Sequence, residues 1–147
     1  MNKLLILLSS LLFAFSFSSC AQTKESLPKD KFITLSMQDW YIKNDVITDT
    51  FEIENVAKED AFIYDFTKPN KVYITNMANE FSWEFDLIRK GNVLTLVNVN
   101  ADAEDDELTF SWRGSKLILT RNSEDADPDD DNSSIIVRRE HILEKVN

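Results

Sequence analysis

Phe81-Ser82-Trp83-Glu84-Phe85-Asp86-Leu87-Ile88-Arg89-Lys90-Gly91-Asn92-Val93-Leu94-Thr95-Leu96 is the stretch on which the fold turns. Large apolar side chains stand at Phe81, Trp83, Phe85 and Leu87, with polar residues between them. A period of two is what a half-buried strand requires, because successive side chains leave opposite faces. Gly91-Asn92 suits a two-residue type II′ hairpin, in which glycine takes the positive φ. Folding the chain there pairs Leu87 with Leu96 and Phe85 with Asn98. Bulky groups then share one face, which sets the register. The only other glycine repeats the device, since a turn at Gly114-Ser115 pairs Trp112 with Leu117 and Phe110 with Leu119.

Working outward, short runs rich in aromatic and β-branched residues predict strands over 39–43, 50–55, 61–67, 71–76, 81–88, 93–99, 107–113, 116–121 and 134–140. A loop at Lys68-Pro69-Asn70 pairs Tyr64 with Ile74 and Phe66 with Val72. Residues 57–60 suit a helical turn. Ile142, Leu143 and Val146 suit either a short C-terminal helix or a continued strand. The fold class is therefore all-β: many short antiparallel strands joined by local hairpins, which favours an up-and-down barrel over a sandwich.

The chain has 147 residues, 43% of them apolar, which is one domain with enough material for a core. Its 26 acidic against 16 basic side chains give a net charge of −10, the wrong sign for a nucleic-acid partner. A single cysteine excludes a disulfide framework and a thiolate-rich metal site. Two glycines leave little for phosphate-cradling loops, and no cofactor is expected.

The first nineteen residues read as an address. Lys3 precedes an apolar run of fourteen residues from Leu4, broken only by Ser9, Ser10 and Ser16. That run is too short to span about 30 Å of hydrocarbon but has the length of a signal-peptide core. It ends at Phe17-Ser18-Ser19-Cys20, which resembles the lipobox of bacterial lipoproteins, although Phe17 stands where that family usually has Leu. The alternative is an ordinary secretory signal with an incidental cysteine. The resemblance implies cleavage before Cys20, acylation of Cys20 (palmitate or a similar chain), and a membrane-anchored protein of the cell envelope, periplasmic or surface-exposed. Several acyl chains hold firmly where one is marginal. Residues 20–31 then form a lipidated N-terminus and polar tether, and 32–147 the barrel domain.

From Met37 to Glu140 the chain also resembles the lipocalin-like domains of bacterial lipoproteins. The carriers are Trp40, Tyr64-Asp65-Phe66 with its Lys-Pro-Asn turn, the run from Phe85 to Leu96, the run from Leu108 to Leu119, and Ile135-Ile136-Val137-Arg138. Gln38-Asp39-Trp40 lacks the glycine that usually opens such domains. The resemblance implies a barrel and, loosely, a role in binding apolar molecules or proteins.

Inward-facing aromatics of that barrel, Tyr64, Phe66, Trp83, Phe85, Phe110 and Trp112, are the candidate ligand-binding set. The competing reading is a filled core, since an eight-stranded interior just holds its own side chains or one small ligand. A second candidate is an acidic rim. Residues 100–107 carry Asp102, Glu104, Asp105, Asp106 and Glu107; residues 122–133 carry Glu124, Asp125, Asp127, Asp129, Asp130 and Asp131. These eleven acids lie among no bases, and the body left after signal removal is balanced. In a meander, alternate connections share an end, so both acidic segments are expected opposite the basic tight turns with Lys68, Lys71, Arg89, Lys90, Arg113 and Lys116. Such a rim would take a basic protein partner, or attract calcium weakly through Asp125, Asp127 and Asp129, which lack the glycine and terminal glutamate of an EF-hand loop. The sole histidine, His141, is expected at the surface, and no catalytic set is expected around it.

Overall fold

A computed structural model describes residues 26–98, 105–127 and 130–147. Nine strands run β1 (Lys31–Lys43), β2 (Val46–Ile53), β3 (Phe62–Asp65), β4 (Lys71–Asn76), β5 (Phe81–Lys90), β6 (Val93–Asn98), β7 (Asp106–Arg113), β8 (Lys116–Asp127) and β9 (Asp130–Lys145). One short 3₁₀ turn, Lys58–Asp60, interrupts them. Every pairing is antiparallel, and β9 returns to pair with β1. Eight strands, β1 and β3 to β9, thus close into a barrel, and β2 remains as an edge strand on β1.

The hairpin registers follow from the turn residues. Lys90 faces Val93 across Gly91-Asn92, and Arg113 faces Lys116 across Gly114-Ser115. Both glycines hold positive φ (68° and 64°), which other residues adopt only with strain. Leu87 faces Leu96, Phe85 faces Asn98, Phe110 faces Leu119 and Tyr64 faces Ile74, as the alternation requires. Asn44 and Asp45 both take positive φ, turning β1 into β2 between Lys43 and Val46.

β1 divides its edge between two neighbours. Residues 31–33 pair with β3, and residues 37–43 pair with β2. Between them the Val56 N–H donates to the Leu35 carbonyl at 2.9 Å. β2 is therefore an outgrowth of the barrel wall, paired on one side only, and seven of its eight residues are exposed.

Two elements differ from the sequence reading, and a third is decided between its two alternatives. The C-terminal segment is strand to Lys145, because pairing with both β1 and β8 satisfies its backbone on two sides, as one helical turn would not. The acidic segment 122–133 is largely strand as well: β8 and β9 pair from Leu117–Leu143 out to Asp127–Asp130. Its polar composition reads as loop, but tertiary pairing overrides local propensity. Residues 31–38 also extend β1 well before the expected start.

The core fills one end of the barrel. Phe32, Val72, Leu94, Phe110, Leu117 and Leu143 are fully or almost fully buried there, with Phe66 and Leu87 beside them. Residues 26–30, the described part of the expected polar tether, close that end. Pro28 is fully buried, Leu27 packs on the core, and Trp112 donates from Nε1 to the Ser26 carbonyl at 2.9 Å. The tight turns at Asn70, Gly91 and Gly114 lie at this closed end, while Asn76, Phe81, Asn98, Asp106 and Asp127 end their strands toward the mouth.

Candidate binding site

Above the packed half, the lumen opens into a pocket of about 410 Å³. Its base is Tyr64, Leu96, Leu108 and Leu119, which also belong to the core. Its walls are Met37, Phe51, Ile53, Phe62 and Ile74. Polar groups are few and grouped: Asp39, Asp106, Arg121, Arg139 and His141. An apolar cavity with a small set of placed polar groups is the usual form of a small-molecule site.

Strand parity puts these polar groups in the lumen. Leu117, Leu119 and Arg121 alternate along β8, so Arg121 must share the inner face of the two leucines. Across the ladder Arg121 faces Arg139, and Arg139 faces Asp39. Arg139 donates from Nε to Asp39 Oδ1 at 2.9 Å and from Nη2 to Oδ2 at 2.7 Å, a fork-to-carboxylate pair. Asp39 is buried, and its carboxylate bonds raise the guanidinium pKa against the cost of burial. Arg121 pairs with Asp106 at 2.9 Å. Four charges thus run along one wall in the order Asp39, Arg139, Arg121, Asp106, and they balance.

His141 lies at the foot of that wall. Its Nδ1 is 2.9 Å from the Tyr64 hydroxyl, and the Phe62 ring stacks against it at 6.2 Å between centroids. Burial, reinforced by the nearby Arg139 charge, pushes its pKa down to about 4, so the ring is neutral at pH 7. Its Nε2 is buried with no partner among the described residues. Burial likewise raises the Tyr64 hydroxyl, which stays protonated. The surface location expected for His141 is corrected by the structure: residues 139, 141 and 143 face the lumen, since β9 continues where a helical tail was one of two readings.

The aromatic set divides by depth. Tyr64 lines the pocket. Phe66 and Phe110 are buried in the packed half, and Trp112 and Phe85 pack against it. Trp83, the cross-strand partner of the pocket-lining Ile74, stands on the inner face near the mouth, 4.8 Å from Phe81 between ring centroids. The acidic set divides too. Asp127 is buried and held by Lys43 and by the Ser133 hydroxyl. Asp106 is engaged by Arg121, and Asp105 accepts from the Asn98 N–H at 3.4 Å. Asp125 is exposed on β8, and Asp130 and Asp131 begin β9. Asp102, Glu104 and Asp129 lie outside the described residues, as does Cys20. Among the described residues no cluster of carboxylates or histidines has metal-site geometry.

Sequence reading passed over Asp39, Phe51, Arg121 and Arg139, and set His141 at the surface. Period-two parity carried one step past Leu119 finds Arg121; Phe51 depends on the pairing of β2 with β1, and Asp39, Arg139 and His141 on the register of β1 against β9, which no local pattern encodes. No protein-family pattern, curated protein or solved structure matches the chain.

Proposed function

We propose that the protein is a lipid-anchored, lipocalin-like lipoprotein of the bacterial cell envelope whose barrel mouth binds a small, largely apolar ligand. The observation that carries this reading is the half-filled barrel. Its closed half is packed by its own side chains, and its open half leaves a pocket of about 410 Å³ walled mostly by apolar groups. That volume is within the range of about 300–1,000 Å³ common to ligand sites. Anchoring rests on the sequence alone, through the signal-like run and Cys20. The chain enters the barrel at the closed end, so an anchor there leaves the mouth free to face away from the membrane.

Native mass spectrometry of the protein extracted from its own membranes tests both parts. The expected result is a mature chain starting at an acylated Cys20, carrying an added mass that organic extraction removes. A Cys20→Ser variant is expected to lose the acyl mass and the membrane association. A bare barrel whose tryptophan fluorescence is unmoved by a panel of apolar ligands would overturn the binding part. An uncleaved or unacylated N-terminus would overturn the anchoring part.

A further inference from the structure

We infer that the ligand is a single-chain amphiphile whose anionic head group is held by Arg121 and Arg139 while its chain fills the apolar part of the pocket. This rests on the binding reading above and goes further by assigning the charge of the ligand. The argument begins with an arrangement a sheet ordinarily avoids. Arg121 and Arg139 are direct cross-strand partners on the lumen face. Directly opposed side chains have Cβ atoms about 4.5–5.5 Å apart, and like charges there are destabilising. Each arginine has an acid on its far side, Asp39 for Arg139 and Asp106 for Arg121, so both acids draw from the outside of the pair. Nothing described bridges the two guanidiniums from within.

Donors remain for such a bridge. A guanidinium carries five N–H groups. Arg139 commits those on Nε and Nη2 to Asp39, which leaves Nη1 unused among the described residues. Arg121 is tied to Asp106 through Nη2 alone. About half of each side chain remains accessible, 48% for Arg139 and 45% for Arg121, and both line the pocket. A carboxylate or phosphate oxygen pair fits two adjacent planar forks, which is the recognition arginine serves best. Met37, Phe51, Ile53, Phe62, Ile74 and Leu96 then cover the chain. Among the exposed acids farther out, Asp125 is near enough to act on Arg139 and opposes an anion there; the field of more distant acids is screened within about 10 Å at ordinary salt, whereas the guanidiniums act in contact.

The test compares matched twelve-carbon probes on the delipidated full barrel by tryptophan fluorescence and calorimetry: dodecanoate, dodecyl phosphate, dodecanol and dodecylamine. The expected result is that the two anions bind about ten- to a hundredfold more tightly than the alcohol, the gain from charge-assisted hydrogen bonds. Arg121→Gln is expected to remove most of that preference while dodecanol binding persists, which shows the variant is folded. Arg139→Lys, which keeps a charge beside Asp39, is expected to reduce it partially. Equal binding of all four probes, tighter binding of the amine, or an unchanged preference in Arg121→Gln would overturn this inference and leave the binding reading intact. Failure of every probe to bind would overturn the binding reading itself.

Discussion

At the scale of single residues, the most informative group is His141. A neutral imidazole wedged between Phe62 and Tyr64 has one nitrogen partnered and the other buried alone. Its pKa is about 4 in the fold against about 6.5 in the unfolded chain. The unfolded state therefore binds more protons between those values, and stability must fall as pH drops from about 6.5 toward about 4. Above that window the contribution is constant. Urea titrations from pH 7 to pH 5 are expected to show a loss of about 1–2 kcal/mol from this group, less in His141→Gln. An identical pH slope in the variant would exclude His141 as the source. Sequence reading had no access to this environment. Glu140 and Glu144 make the segment look like surface, and only the inward parity of β9 separates His141 from them.

At the scale of elements, the tight hairpins were legible and the long strands were not. Gly91 and Gly114 announce their turns because few other residues hold positive φ cheaply. By contrast, 122–127 and 130–134 look like an acidic loop, yet they are zipped into the longest ladder in the molecule. Hydrogen bonding along β9 supplies what the local composition withholds. β2 is the opposite case. It carries Val46, Ile47, Phe51 and Ile53, good strand material, but has one partner and little burial. Amides of 46–53 that do not bond to β1 are expected to exchange at least about tenfold faster than those of β4 and β8, since opening β2 exposes few apolar contacts. Uniform protection across the nine strands, read by hydrogen exchange and mass spectrometry, would show that β2 is held by something else.

At the scale of the whole molecule, stability and binding occupy different halves of one barrel. Leu94, at 0% exposure, is surrounded by core in the closed half. Leu94→Ala is expected to cost about 2–5 kcal/mol in denaturant unfolding, while Phe51→Ala, at a position 55% exposed, costs under about 1 kcal/mol and weakens ligand binding. Comparable losses in both variants would mean that the two halves are one cooperative core. The segment 26–30 belongs to the stable half. Its burial of Leu27 and Pro28 fixes where the chain enters, and hence which end is closed.

By itself the sequence determined the strand class, the positions of two glycine hairpins and the side-chain registers across them. These are local properties: period, turn chemistry and composition act between near neighbours. The tertiary structure alone decided the register in which β1 meets β9, the division of the aromatics into floor and mouth, and the assembly of Asp39, Arg139, Arg121 and Asp106 along one wall. Asp39 and Arg139 are a hundred residues apart and meet only because the barrel closes, a contact no short-range pattern records.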